Sequence, residues 1–282
     1  MLQPWMIPSD LAPGDAKSLE RDWSDVTLHD IDSAEEPEFD TAFGALWSEF
    51  GASGEVEQPA VLARRLRWSG TELQHGCALR YDLMLVTSHE QFAAVRDHTA
   101  IVPEGKNIAI VHLSHNLVAP NWRRSGLAGW LRALPIQTAR RCLADQNKPE
   151  DSPITLIGEM EYPDESNAGS LVRLKAYEHA GYLKIDGINY LQPDFRDPSE
   201  IDLDGKARPL PFTLLIRRVG REQERYVSGA EVREMVDALY SMYSTSFRER
   251  DMKPLWESLE TYPADDASLP LILPTTGAPA YP

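Results

Sequence analysis

The sequence is poor in cysteine: two in 282 residues, Cys77 and Cys142, with no CxxC spacing. Two cysteines cannot build a disulfide framework, and they form no metal-spaced cluster. No HExxH motif is present, so metal-assisted hydrolysis is disfavoured and no metal is expected. No apolar run approaches the roughly 20 residues needed to span a bilayer. The first fifteen residues, MLQPWMIPSDLAPGD, lack a basic segment followed by an apolar one, and the expectation is a cytoplasmic setting. Basic residues are also scarce, 28 against 44 acidic, for a net charge of −16. That field disfavours nucleic acid and anionic membranes as partners. It suits a cationic substrate, and equally a merely solvated surface. The apolar fraction of 42% is that of a globular chain long enough for a sizeable core.

The elements can be placed in order. Residues 1–24, rich in Pro, Asp and Ser, read as an extended arm. VTLHDI at 26–31 reads as a strand. Phe39, Phe43, Leu46, Trp47 and Phe50 recur at helical spacing, predicting a helix over 37–50, and a second helix covers 58–67. Three segments, 78–88, 92–102 and 108–118, read as an antiparallel meander, the middle one open to a helical reading. Leu127, Trp130, Leu131, Leu134, Ala139, Cys142 and Leu143 form the apolar stripe of a helix that Pro135 should kink or shorten. Strand 154–161, helix 169–180, strand 183–193 and strand 211–219 follow. Ser228 and Glu231 have capping-box spacing, and an apolar face then runs from Val232 to Phe247. Residues 262–282 are Pro-rich and read as irregular. The simplest partition is an arm at 1–25, one domain at 26–220, and a C-terminal helical extension with a tail at 221–282.

The informative stretch is HLSHNLVAPNWRRSGLAGWLR, residues 112–132, which runs from strand through turn to helix. Its turn carries Arg123-x-x-Gly126-x-Ala128. The first amides of a helix have no intrahelical acceptors, and the helix dipole adds partial positive charge there. Small residues at 126, 128 and 129 would let a phosphate approach the backbone. Arg123 and Arg124 add charge, with Arg132, Arg140 and Arg141 further along. By itself the pattern is equally an ordinary helix start with small packing residues. A nucleoside triphosphate site is disfavoured because GxxxxGK[ST] is absent, and the turn lacks the third glycine of a dinucleotide fingerprint.

Val118, Pro120, Trp122, Arg123, Gly126 and Ala128 resemble, position by position, the signature of the GNAT (Gcn5-related N-acetyltransferase) superfamily. Tyr177, Gly181 and Tyr182 resemble its second feature, a Tyr-bearing helix ending in Gly–aromatic before a strand. The resemblance covers roughly residues 26–220. It implies an α/β (α+β) fold with a mixed, mostly antiparallel central sheet and helices on both faces. It departs from the family at Pro135 and at Ser170, where many members carry an Asn; Asn167 could serve instead.

The resemblance implies acetyl-CoA, or another acyl-CoA, as co-substrate, wedged between the fourth and fifth strands. The pantetheine would pair with the backbone of Asn116, Leu117 and Val118. The diphosphate would sit on the amides of Arg124, Ser125, Gly126, Leu127, Ala128 and Gly129, beside Arg123. The fourth-strand amides would stabilise the oxyanion of a tetrahedral intermediate formed by direct attack of a primary amine. Tyr177 matches the family's general acid. For the base, Glu159 is preferred, on a strand where it shares a face with Glu161 by period-2 spacing. His112 and His115 are rivals that the same reasoning places on opposite faces.

The function implied is N-acetyl transfer to a small-molecule or peptide amine. The alternative is a non-catalytic GNAT-like acyl-CoA-binding or scaffold protein. Acidic residues in SAEEPEFD, 33–40, could line a site for a cation or simply be solvated. The C-terminal helix requires a partner surface: the sheet, the acceptor site or a second copy in a homodimer.

Overall fold

Alternating and continuous apolar runs become strands, and helical spacing becomes helices, close to where the sequence predicts them. The computed structural model describes residues 2–52, 54–162 and 168–277. The chain forms two compact units: residues 1–73 with 78–154, and 74–77 with 155–282.

The first unit contains β1 (Val26–Ile31), α1 (Pro37–Phe50), α2 (Pro59–Arg65), β2 (Ser69–Gln74), β3 (Cys77–Ser88), β4 (Gln91–Pro103), β5 (Ala109–Val118) and α3 (Leu127–Asp145). Its sheet runs β1-β3-β4-β5, with β2 on β3. β1 and β3 are antiparallel, as are β4 and β5. His89 and Glu90 both have positive φ, the geometry of a two-residue hairpin turn, so the segment open to a helical reading is strand β4. Helices cover both faces. His98 of β4 meets Thr138 of α3 at 2.7 Å, whereas on the opposite face His115 of β5 packs against the Phe50 ring of α1 at 5.0 Å. α3 runs unbroken through Pro135 to Asp145.

Residues 1–24 are not an extended arm. They form two 3-10 turns, Pro8–Asp10 and Pro13–Leu19, and place Met6 and Trp23 in one buried cluster with Trp122, Leu127, Trp130, Leu131 and Leu134. Two apolar anchors of that size remove enough surface from water to hold a Pro-rich segment in place.

The second unit contains β6 (Ile154–Met160), α4 (Ala168–His179), β7 (Leu183–Ile185), β8 (Tyr190–Gln192), α5 (Pro198–Asp204), β9 (Leu210–Arg218), β10 (Tyr226–Ser228), α6 (Gly229–Tyr243), α7 (Glu249–Ser258) and β11 (Ser268–Ile272). β9 pairs antiparallel with β6, β7 and β8, and β11 pairs antiparallel with β7 and β10. The expected strand 183–193 is therefore two short strands, β7 and β8. The Ser228 hydroxyl caps α6 by accepting from the Glu231 amide. α6 buries Val232, Met235, Val236 and Leu239, but it ends at Tyr243, so the apolar face to Phe247 is not one helix. The tail is not wholly irregular either. In β11, Leu269 and Leu271 are buried while Ser268 and Pro270 are exposed, a period-2 pattern that survives one proline.

Candidate functional site

The turn before α3 lies entirely in the first unit. Arg124 and Gly126 have φ of 64° and 97°, and Gly126 is the left-handed N-cap residue of the 19-residue helix. The Ser125 hydroxyl donates to the Trp122 carbonyl at 2.6 Å and accepts from the Leu127 amide at 3.2 Å. The Ser125 amide donates to Trp122 and the Gly129 amide to Gly126. The amides of Arg124, Gly126 and Ala128 have no acceptor among the described residues. They alternate with the satisfied ones and crown the positive end of the helix dipole. Arg123 and Arg124 are exposed and in no ion pair among the described residues. Leu117 and Val118 are half-buried, and Asn116, the cross-strand partner of Arg96, keeps its buried Oδ1 without a hydrogen bond.

Two sequence readings of this turn need correction. The small residues at 126 and 129 admit the chain's own N-terminus. A Cβ on Gly126 would lie 2.9 Å from Ser18 Cα, and one on Gly129 would lie 2.2 Å from Ser18 Oγ and 2.9 Å from Asp15 Cβ. Ala128, half-buried, is the small residue still facing outward beside the free amides. The basic cluster is also smaller than it reads. Arg132 pairs with Asp15, Arg140 with Asp10, and Arg141 with Asp30 and Asp82, leaving Arg123 and Arg124 as the charges of the turn with no ion pair among the described residues.

Sequence reasoning missed the device that holds the turn. Ser18 donates its hydroxyl to the Gly126 carbonyl at 2.7 Å. The Ser18 carbonyl accepts both the Trp23 and Trp130 indole N–H groups, at 2.8 and 3.1 Å. Arg21 stacks over Trp122 at 4.3 Å. Tryptophans in a polar N-terminal segment were the available signal, since large aromatics seldom stay in water without cause.

β5 carries a β-bulge. Arg96 opposes Asn116 and His98 opposes Leu113, so Asp97 faces two residues, Ser114 and His115. The extra residue shifts the pleat by one and places His115 on the face of Asp97, Thr99 and His112, not opposite His112 as a regular strand would have it. His115 is fixed there. Asp97 Oδ1 accepts both its backbone amide and its Nδ1 at 2.8 Å, and the Glu55 carbonyl lies 3.1 Å from its Nε2. The Tyr81 hydroxyl donates to the other Asp97 oxygen at 3.0 Å. Burial pushes the His115 pKa down, but the Asp97 charge and hydrogen bonds outweigh it and raise the value to about 9. Burial pushes Asp97 up, and the same partners hold it well below the usual carboxylate range. A histidine cationic at neutral pH and tied at both nitrogens is not a base. His112 is buried with Nδ1 3.3 Å from the Ser114 hydroxyl.

In the second unit, Gly158 and Glu159 of β6 point to opposite faces. The half-buried Tyr177 ring of α4 lies over Gly158, 3.7 Å from where a Cβ would stand, and meets Tyr182 edge-on at 4.9 Å. The Tyr177 hydroxyl has no hydrogen-bond partner among the described residues. Glu159 lies on the other face and accepts from neutral donors that include the Tyr190 hydroxyl, Gln192 Nε2 at 2.8 Å and the Tyr243 hydroxyl at 2.5 Å. Burial, then the Glu159 charge, pushes the Tyr190 pKa well up, so it stays a donor. The predicted acid and base thus occupy opposite faces of one strand. Glu161 does not share the Glu159 face by strand period, because β6 ends at Met160; it is exposed and 3.7 Å from Arg173. Ser170 is buried in the first turn of α4, and Asn167 lies outside the described residues. No cluster of potential metal ligands occurs among the described residues.

No family model matches the chain, and no curated protein matches it in sequence. The fold is mixed α/β with mostly antiparallel sheet flanked by helices, and the similar solved structures are GNAT-type acetyltransferases. One is an aminoglycoside acetyltransferase from an uncultured soil metagenomic sample, in complex with sisomicin; it is 9% identical, covers 54% of this chain and 86% of its own, and has a TM-score of 0.35. Another is an acetyltransferase of the GNAT family from Streptococcus pneumoniae, 12% identical, covering 68% and 99%, with a TM-score of 0.35. A third, from Salmonella typhimurium, is solved with its cofactor acetyl-CoA; it is 14% identical, covers 70% and 95%, and has a TM-score of 0.35. At these scores the case for function stands on the residues themselves.

Proposed function

We propose that the protein is an acyl-CoA-dependent N-acyltransferase that moves an acetyl group from acetyl-CoA to a primary amine. The observation that carries the reading is the Arg123–Gly129 turn. Among the described residues, three amides without an acceptor and two guanidinium groups without an ion pair converge at a helix N-terminus, in a chain whose overall charge repels anions. A diphosphate supplies the acceptors and the charge that this turn lacks.

In the reaction, the ammonium form of the acceptor gives a proton to the Glu159 carboxylate. The free amine attacks the thioester carbonyl, forming the C–N bond and an oxyanion that preorganised amides stabilise. Collapse breaks the C–S bond; the thiolate takes a proton from the Tyr177 hydroxyl, which has no hydrogen-bond partner among the described residues, and the phenolate takes the extra proton that the attacking nitrogen still carries, while Glu159 returns its proton to solvent. Holding amine and thioester together supplies much of the remaining acceleration.

The test is acetyl-CoA titration calorimetry on wild type and Ala128→Glu. Gly126 is unsuitable for substitution, because any side chain there collides with Ser18 and sits at positive φ. A carboxylate at position 128 is tolerated by the first helical turn, since it complements the dipole, but it repels a diphosphate. Wild-type binding with at least a tenfold loss in Ala128→Glu is expected. Equal binding by both proteins would remove the turn from the cofactor site. Binding without acetylation of any amine would favour a non-catalytic acyl-CoA-binding role.

A further inference from the structure

The C-terminal extension brings an aromatic wall to Glu159, and all of it lies in the second unit. Tyr243, the last residue of α6, donates to Glu159 at 2.5 Å. Its ring meets Phe195 at 5.9 Å and Phe247 at 5.8 Å, and those two rings meet each other at 5.1 Å, all three edge-to-face. Phe195 comes from the β8–α5 connection and Phe247 from the α6–α7 turn. Tyr243 is buried, whereas Phe195, Phe247 and Glu159 are half-buried, so both the phenylalanines and the carboxylate keep some exposure to solvent. Behind it, Tyr240 stacks on Tyr190 at 5.8 Å and donates to the Leu191 carbonyl at 3.0 Å, fixing Tyr190 and the residue between it and Gln192, the other two donors. The arginines beside the rings are committed elsewhere: Arg196 to Asp194 and Asp204, Arg248 to Asp202 and Asp251.

We propose that Phe195, Tyr243 and Phe247, with Glu159 at their inner end, form the acceptor subsite, and that the acceptor is a primary ammonium carried on an aryl or alkyl body. The ring faces are negative and attract a cation, the carboxylate orients it, and the apolar ring surface receives the body attached to it. An anionic ligand of the same shape meets a like charge at the inner end. Tyr190, Gln192 and Tyr243 are then positioning residues that hold the carboxylate in one orientation. This rests on the transferase reading for its place in a reaction, but not for its binding test.

The experiment titrates 2-phenylethylamine and 3-phenylpropionate into the full chain, in wild type, Phe247→Leu, Phe195→Leu and Glu159→Gln, with thermal unfolding to verify folding. Leucine keeps apolar volume and removes the ring face. The amine is expected to bind at least tenfold more tightly than the acid. Each leucine variant should weaken amine binding by about three- to tenfold, in line with a partly desolvated cation–π contact, and Glu159→Gln by about tenfold or more. Failure of the amine to bind wild type, equal affinity for amine and acid, or folded leucine variants that bind as wild type does would each overturn the subsite. A parallel acetyl-CoA titration separates the two readings. Acetyl-CoA binding without amine binding sinks the subsite and leaves the cofactor turn standing, whereas amine binding without acetyl-CoA binding does the reverse.

Discussion

Tyr177 is half-buried, aromatic on one side, and without a hydrogen-bond partner for its hydroxyl among the described residues. A tyrosine kept only for packing loses little when its hydroxyl is removed. A general acid loses its proton. Tyr177→Phe should therefore leave acetyl-CoA affinity and thermal stability nearly unchanged and lower kcat on the order of 100-fold. Steady-state kinetics beside calorimetry check this, and unchanged kcat would return Tyr177 to a packing role. Glu159 differs in kind. The neutral donors Tyr190, Gln192 and Tyr243 hold it in one orientation, so replacing any of them disturbs geometry before it disturbs charge. The sequence made both residues visible through a motif and a strand period. It could not show that Gly158 and Glu159 sit back to back, with the supposed acid and base on opposite faces.

At the scale of elements, the N-terminal segment and α3 act as one piece. Gly129 is small because Ser18 and Asp15 fill the space beside it. Gly129→Ala should destabilise the protein by about 1–3 kcal/mol, the usual cost of overpacking. Ser18→Ala should cost about 1 kcal/mol by itself through the lost Gly126 hydrogen bond. Together the two should cost less than the sum, because removing Oγ relieves the 2.2 Å collision. Chemical denaturation of the double-mutant cycle decides it, and simple additivity would mean that the segment is not seated on the turn. The helices α1, α3, α4 and α6 were legible because their apolar stripes are long. β2 and α5 were not read, and β7 and β8 were read as one strand over 183–193, since such short segments carry little periodicity of their own.

For the molecule as a whole, a buried charge network lies in the first unit: Asp97, His115 and Tyr81, with Arg65 and Glu57 beside them. The His115 pKa is raised in the fold from an ordinary 6.5 to about 9. Its contribution is thus complete below pH 6.5 and is lost as pH rises through about 9. Asp97 is depressed, so its contribution is present above the ordinary carboxylate pKa and is lost only in acid. Denaturation midpoints should fall between pH 7 and 10, and His115→Ala should be destabilised by about 3–5 kcal/mol at pH 7 with that alkaline slope reduced. An unchanged slope in the variant would assign the alkaline loss to other groups.

The net charge, the order of the main strands and helices, and the strand–turn–helix at Arg123–Gly129 were all determined by the sequence alone, because each depends on composition or on neighbours close along the chain. The fate of that turn was decided only by tertiary structure. Ser18 reaches Gly126 across 108 positions, and Asp15 and Asp10 neutralise arginines more than a hundred residues away. The one-residue bulge that turns His115 onto Asp97, and the meeting of Tyr243 with Glu159, likewise depend on strand register and helix packing. Contacts between residues far apart along the chain have no period for a sequence pattern to reveal.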